Sequence, residues 1–391
     1  MKILFDSVMP YADAFFSSIG ECKSFESGVL GDIDLAEADV LLTRSTTKVD
    51  KQLLLKAEHA KFIGTATAGI NHFDVKAIEQ HGAHWTSAAG CNARAVAEYV
   101  LASLLYLAIN DEIELAGKSC AIVGVGEVGR QVASIVNALG MSIVLYDPPR
   151  AELESTFTSA SFDEVISADF ISLHAPLIND GKYPTRHMFN DIVLNKMNAN
   201  QYLISASRGE LIDTNALLAR FRLKSKSAAS GVSQCTAPQL VMDCWEDEPT
   251  ISTELMTHCR LATAHIAGHS LEGKARGTSI LYDKLCEFLA VDNVLNLRDF
   301  LPIYEMPENL MAHIRAFDMD TLSLATLNNI VKCFYDIEND DSFFRQHMAK
   351  SDQITPIRKN YPIRREFDAV SVRLQNPVAK QQLSALGFKV L

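Results

Sequence analysis

The sequence predicts an α/β protein: two parallel-sheet domains built from strand–helix repeats, followed by a small α+β module. Three observations predict it. Short β-type runs alternate with helical ones in two series, before and after Lys118. A glycine-rich turn joins strand to helix at the start of the second series. The alternation stops near Leu301, where turn-rich and mixed segments take over. At 391 residues the chain is long for one core, in keeping with two or three domains.

In the first series KILFD, ADVLLTR, AKFIGTAT and AHWTS read as strands, with VDKQLLLKAEHA and DVKAIEQHG as helices between them. RAVAEYVLASLLYLAI (94–109) is apolar nearly all round and is predicted to be buried between layers. The second series offers KSCAIVGVG, SIVLYD, DFISLHAP, QYLISAS, QLVMDCW and RLATAHIAG, with helices such as VGRQVASIVNALG between them. Six such strands with crossover helices are a full dinucleotide-binding, Rossmann-like sheet. The small, polar stretch KSKSAASGVSQCTA (224–237) is expected to be a flexible surface loop. Past Leu301 the expectation is a helix (TLSLATLNNIVKCFYD), an acidic turn, a basic segment (RKNYPIRREF), a strand (AVSVRL) and a helix (VAKQQLSAL). The expected domains are 1–93 with 270–298, then 94–269, then 299–391.

Bulk composition narrows the function. A net charge of −12 disfavours a nucleic-acid surface, because phosphates would be repelled. No uninterrupted apolar run reads as a membrane span, and MKILFDSVMPYADAFF reads as strand then helix and not as a signal peptide. The eight cysteines form no CxxC pairs, as for reduced thiols in a cytoplasmic protein. No metal site is expected.

The turn IVGVGEVGR places Gly124, Gly126 and Gly129 in a GxGxxG pattern between strand and helix. The first glycine permits the tight turn, the second lets the backbone approach a pyrophosphate, and the third lets helix and strand pack closely. Asp147 ends the next strand roughly 20 residues on, where a carboxylate can bond the adenosine ribose and repel a 2′-phosphate. That favours NAD over NADP, although Arg150 nearby works slightly against it.

Three further side chains fall at carboxyl ends of strands, where ligands of open α/β sheets sit. Arg208 follows QYLISAS, Glu248 follows QLVMDCW after a turn, and His265 follows RLATA. Singly, each has an ordinary explanation: a helix cap, a solvated charge, a buried histidine. Together they suit oxidation of a 2-hydroxy acid. Imidazole takes the hydroxyl proton, a carboxylate stabilises the imidazolium, and guanidinium grips the substrate carboxylate with two prongs. Arg44, Ser45 and Lys48 lie together after an early strand and suit a second, phosphate anion, with the basic C-terminal segment as a further candidate; Lys48 alone reads as a surface lysine.

SRGELID, DCWEDEP and HIAGHS together resemble the signature arrangement of the D-isomer-specific 2-hydroxyacid dehydrogenases. RSTTKV (44–49), GTATAGINHFD (64–74), GCNARAVAEYV (90–100), DPPR (147–150) and HIAGHSLEGKARGT (265–278) extend the resemblance from Met1 to about Arg298, and more loosely beyond, to a branch of that family acting on a phosphorylated acid. The resemblance implies a substrate-binding and an NAD-binding domain with the cleft between them, and a C-terminal dimerisation domain. It implies NAD as cofactor, a small phosphorylated 2-hydroxy acid as substrate, and a homodimer that binds neither nucleic acid nor membrane. Arg208 and Glu248 would be active-site residues and His265 the proton donor or acceptor. Asp147, Ala175, Asp243 and Gly268 would touch NAD, joined by Gly124, Gly126, Glu127, Val128 and Gly129 of the loop and by Ala206 and Ser207. Ser45 and Thr67 would touch substrate, with Arg44. Position 269, commonly Tyr in the family, is His269 here and is expected against the far end of the substrate. A phosphoglycerate-type sibling and an NADH-sensing regulator on the same fold stay open at this point.

Overall fold

The computed structural model describes residues 1–26, 35–230, 237–307, 309–321, 323–350 and 353–391, with side chains of 224–230 excepted. Two compact units result: Met1–Ala93 with His269–Ile303, and Arg94–Gly268 with Tyr304–Leu391.

The first unit carries a five-stranded sheet of β1 (Lys2–Asp6), β2 (Glu21–Phe25), β3 (Val40–Thr43), β4 (Phe62–Thr65) and β5 (His84–Ser87). Its order is β2-β1-β3-β4-β5 and every pair is parallel. β3 and β4 are buried at all four positions, which is why they read as continuous apolar runs. β2 was not expected: ECKSF is an edge strand, mostly exposed, and lacks that signal. One face is covered by the helix Leu271–Leu289, whose Leu281, Tyr282 and Leu285 pack with Phe15, Phe16, Leu42 and Phe62. Its fit is close, since a Cβ on Gly64 would lie 3.0 Å from Leu281 Cδ2.

The second unit carries β6 (Ser119–Val123), β7 (Ser142–Tyr146), β8 (Phe170–Leu173), β9 (Tyr202–Ser205), β10 (Gln239–Met242) and β11 (Cys259–Ala262). All are parallel, in the order β11-β10-β9-β8-β6-β7. The chain leaves β6 in one direction and returns to its other side as β8, so a topological switch point opens between them. The helix Ala93–Asn110 has a membrane-like composition, yet Tyr99, Val100, Leu101, Leu104 and Leu105 are each fully buried in the protein core.

Two expectations are corrected. The helix Thr214–Ser230 runs through the first half of the stretch read as a loop, because Lys and Ala sustain a helix as readily as they fill a linker; residues 231–236 lie outside the described residues. The acidic "turn" after Tyr335 is a helix, Ile337–Met348, started by the Asp336 side chain, which accepts from the Glu338 amide. Its inward residues Ile337, Phe344 and Met348 keep helical spacing. That helix covers the edge strand β11: Asp341 accepts from the Ala262 amide at 2.7 Å, and Arg345 donates to the carbonyls of Met256 and Cys259, each at 2.9 Å.

The C-terminal residues from Tyr304 thus share one core with 94–268, with Phe367 stacked on Phe388 at 4.6 Å. The short strands β12 (Ser371–Val372) and β13 (Lys389–Val390) pair with each other. The basic segment turns inward at Arg364, which donates to the carbonyls of Ala95 at 2.6 Å and Ala267 at 3.0 Å and lies over the Tyr335 ring. Its guanidinium stands 4.0 Å from buried Glu98, whose carboxyl is pushed well above its ordinary range by burial and by Glu366.

Candidate active site

The glycine turn after β6 has the geometry its sequence requires. Gly124 adopts φ +87, and a Cβ there would lie 2.5 Å from the Ala175 amide nitrogen, across the switch point. A Cβ on Gly129 would lie 2.1 Å from the Gly124 carbonyl oxygen, so only glycine lets the helix Glu127–Ala138 start this close to β6. Gly126 is different. A Cβ there meets nothing within 4 Å, which leaves a cradle at the helix N-terminus for an anion. Val128 packs against the core, while Glu127 is exposed and pairs with Arg130.

Asp147 ends β7 and accepts from the Val125 amide at 2.8 Å, which ties the acid to the glycine turn. Arg150 donates to the Val125 carbonyl at 2.8 Å and to Glu154 at 2.8 Å, and lies over the Phe157 ring at 4.3 Å. Its guanidinium is thus engaged within the protein. At the ends of β8 and β9, His174 Nδ1 and Ser207 Oγ are buried polar atoms without a partner among the described residues. Burial lowers the His174 imidazole to about 3, so it stays neutral. Cradle, acid and orphaned polar atoms together fit a dinucleotide.

The candidate catalytic residues Arg208, Glu248 and His265 lie on the loops after β9, β10 and β11. Of the acids after Trp245, Glu246 pairs with His187 and accepts from the Thr214 amide at 3.0 Å, and Asp247 is exposed. Glu248 turns inward. Its Oε2 lies 2.8 Å from His265 Nδ1, and its Oε1 accepts from the Trp245 amide at 2.9 Å. Burial pushes the Glu248 carboxyl up, but the His265 hydrogen bond and charge, the Trp245 amide and the Arg358 guanidinium outweigh it and hold the group below its usual value. With Nδ1 directed at Glu248, Nε2 is the ring nitrogen left able to accept a proton.

Asp243 builds the loop that carries this ring. Its carboxylate accepts from the Thr263 hydroxyl at 2.7 Å and from the amides of Ile266 at 2.8 Å and Ala267 at 2.9 Å, while its carbonyl accepts from the His265 amide at 2.7 Å. His265 itself is left-handed, at φ +56. Arg208, half-buried, precedes Gly209, where a Cβ would fall 1.9 Å from the Trp245 carbonyl carbon. Only glycine lets the Arg208 turn lie against the loop leading to Glu248.

In the first unit, Arg44 follows β3 and Thr67 follows β4, two strands in direct register, with the Ala66 amide bonded to the Thr43 carbonyl at 2.9 Å. Thr67 Oγ1 lies 2.8 Å from Thr65 Oγ1, which His72 Nε2 approaches at 3.0 Å. Ser45 is exposed, and Lys48 reaches Asp50 at 3.2 Å as a surface lysine. Gly268 closes the segment of the second unit, and His269 belongs to the first.

Residues 107–267 match the family model of the D-isomer specific 2-hydroxyacid dehydrogenase NAD binding domain, and 310–387 match a domain family of unknown function. Over 388 residues, 99% of each chain, the protein is 42% identical to erythronate-4-phosphate dehydrogenase of Pseudoalteromonas atlantica. It is 37% identical to that of Proteus mirabilis over 99% of each chain. The chain belongs to the erythronate-4-phosphate dehydrogenase family. It is an NAD-dependent oxidoreductase. Solved structures agree on the fold: D-lactate dehydrogenase from Aquifex aeolicus (TM-score 0.58, 23% identity) and 3-phosphoglycerate dehydrogenase from Entamoeba histolytica (TM-score 0.58, 22%) each cover 74% of this chain and are themselves covered to 95%.

Two residues of this family member escaped the sequence reading. Lys274, one turn into the helix Leu271–Leu289, is held below its ordinary value by burial and by repulsion from Arg44. A helical lysine carries no sequence signal of burial. Arg358 reaches to 3.8 Å from Glu248 Oε2. Its place in a basic run gave no hint of a carboxylate so far back in the chain.

Proposed function

We propose that the chain oxidises 4-phospho-D-erythronate to (R)-3-hydroxy-2-oxo-4-phosphobutanoate, with reduction of NAD to NADH, in pyridoxal 5′-phosphate biosynthesis. The observation that carries this reading is the His265–Glu248 bond at 2.8 Å, which frees Nε2 to take the substrate hydroxyl proton. As the ring gains charge, Glu248 stabilises it without having to move. Arg208 grips the substrate carboxylate and orients the hydroxyl. NAD, when bound, supplies the acceptor for the hydride.

The phosphate is assigned to Arg44 and Lys274, with Ser45, Thr67 and His269 as further substrate ligands. Two cations held close despite their repulsion support an anion as the intended ligand. A cytoplasmic homodimer joined through 299–391 completes the proposal; the seven described cysteines, all free thiols, suit a reducing compartment. Sedimentation equilibrium of the full chain should give twice 43.1 kDa. The deciding assay is NADH formation from 4-phosphoerythronate with 3-phosphoglycerate as control. Turnover of the control alone would refute the substrate assignment.

A further inference from the structure

We infer that Arg358 is a positioning residue for the reaction: its guanidinium backs the Glu248 carboxylate that aims and steadies His265. This rests on the dehydrogenase reading above. Glu248 is held from three sides. The Trp245 amide takes Oε1, His265 Nδ1 lies 2.8 Å from Oε2 and 3.1 Å from Oε1, and Arg358 Nη1 stands 3.8 Å from Oε2.

The chain secures that third approach. Ile354 donates its amide to the Pro249 carbonyl at 3.1 Å, Thr250 and Gln353 form an antiparallel bridge, and the Gln353 side chain donates to the Thr250 hydroxyl at 2.6 Å. Ile354 and Ile357 are buried, so the short helix Thr355–Lys359 is anchored from beneath and presents Arg358 to the carboxylate. Contrast Arg345, whose guanidinium is engaged by Asp341 and by the backbone carbonyls of Met256 and Cys259. Arg358 Nε is buried without a hydrogen-bond partner among the described residues, and the nearest carboxylate is Glu248.

The other charged and titratable groups around the pair are few. Asp243 is committed to Thr263, Ile266 and Ala267. The Cys244 thiol, pushed well up by burial, is neutral and feels both Arg208 and Arg358. Arg208 is reserved for the substrate, which leaves Arg358 as the fixed cation of the resting site. It keeps Glu248 ionised and fixed in place while the imidazolium forms and decays. Removing that cation lets the Glu248–His265 pair take up a proton at higher pH.

The test uses the full chain carrying Arg358→Met or Arg358→Lys. With NAD and 4-phosphoerythronate, the Met variant should lose roughly tenfold in kcat with the substrate KM changed less than about threefold. Its acidic limb of kcat/KM should move up by roughly half a pH unit, and Lys should restore most of the limb position. A normal kcat with an unmoved limb would overturn the inference, as would a loss confined to KM, which would make Arg358 a substrate ligand. A substrate-free readout separates this from failure of the substrate assignment: carbon NMR of the Glu248 carboxyl should titrate higher in the Met variant, whatever the enzyme oxidises, and an unchanged midpoint would overturn the inference.

Discussion

The two sheets share an architecture and differ at one turn. After β1 the chain passes through Ser7 and Val8 with no glycine; the Val8 amide is taken by Asp6 at 2.9 Å, and the helix that follows, Ala12–Phe16, has five residues. After β6 it passes through Gly124, Gly126 and Gly129 into a helix of twelve residues, with open space beside Gly126 at its N-terminus. In both turns a carboxylate takes one amide, Asp6 from Val8 and Asp147 from Val125, but only the second leaves a side-chain-free cradle at Gly126. Dinucleotide binding is therefore a property of one loop and not of the doubly wound sheet. What the first unit offers at its strand ends is cationic: Arg44 and, from the returning helix, Lys274.

Substitutions can break or sharpen that contrast. The largest effect is expected from His265→Gln, which should lower kcat by about 10²–10⁴ while NAD affinity, read by fluorescence titration, stays put. Arg208→Lys should follow, with turnover hurt far more than NAD affinity; equal losses would mean that the arginine is not a substrate clamp. Gly126→Val should weaken NAD binding by about tenfold or more with little change in Tm, because its side chain enters open space in the protein. A large drop in Tm would mean that the cradle is a packing feature. Lys274→Met should raise the KM for the phosphorylated substrate by roughly tenfold and leave NAD affinity unchanged, which would confine anion recognition to the first unit. The smallest effect belongs to Gly82, left-handed at φ +83 with nothing within 4 Å: Gly82→Ala should cost about 1 kcal/mol in denaturant melts and change no kinetic constant.

Much of this was legible in the sequence, for physical reasons. Strands buried on both faces announce themselves as apolar runs, as β6, β8, β9, β10 and β11 did, and the half-buried β7 was betrayed by its β-branched and aromatic residues. The half-exposed β2 could not. The glycines declared their turn because no other residue tolerates Gly124 and Gly129 where they sit. Arg208, Glu248 and His265 were recognisable as strand-end residues, yet the pairing of Glu248 with His265 and the approach of the Arg208 turn to the Trp245 loop depend on details no local pattern encodes: the Gly209 contact, the Asp243 bonds and the reach of Arg358. Ile337–Met348 hid its helix under a run of acids, and 224–230 hid one under small polar residues. In both, composition pointed away from the tertiary outcome.

The left-handed backbone at His265 has one more consequence. A non-glycine residue in that region carries about 1 kcal/mol of strain, and here three bonds to the Asp243 carboxylate keep it from relaxing. A sequence that eased it would gain melting temperature and surrender aim, so selection for sturdiness alone should drift away from this corner.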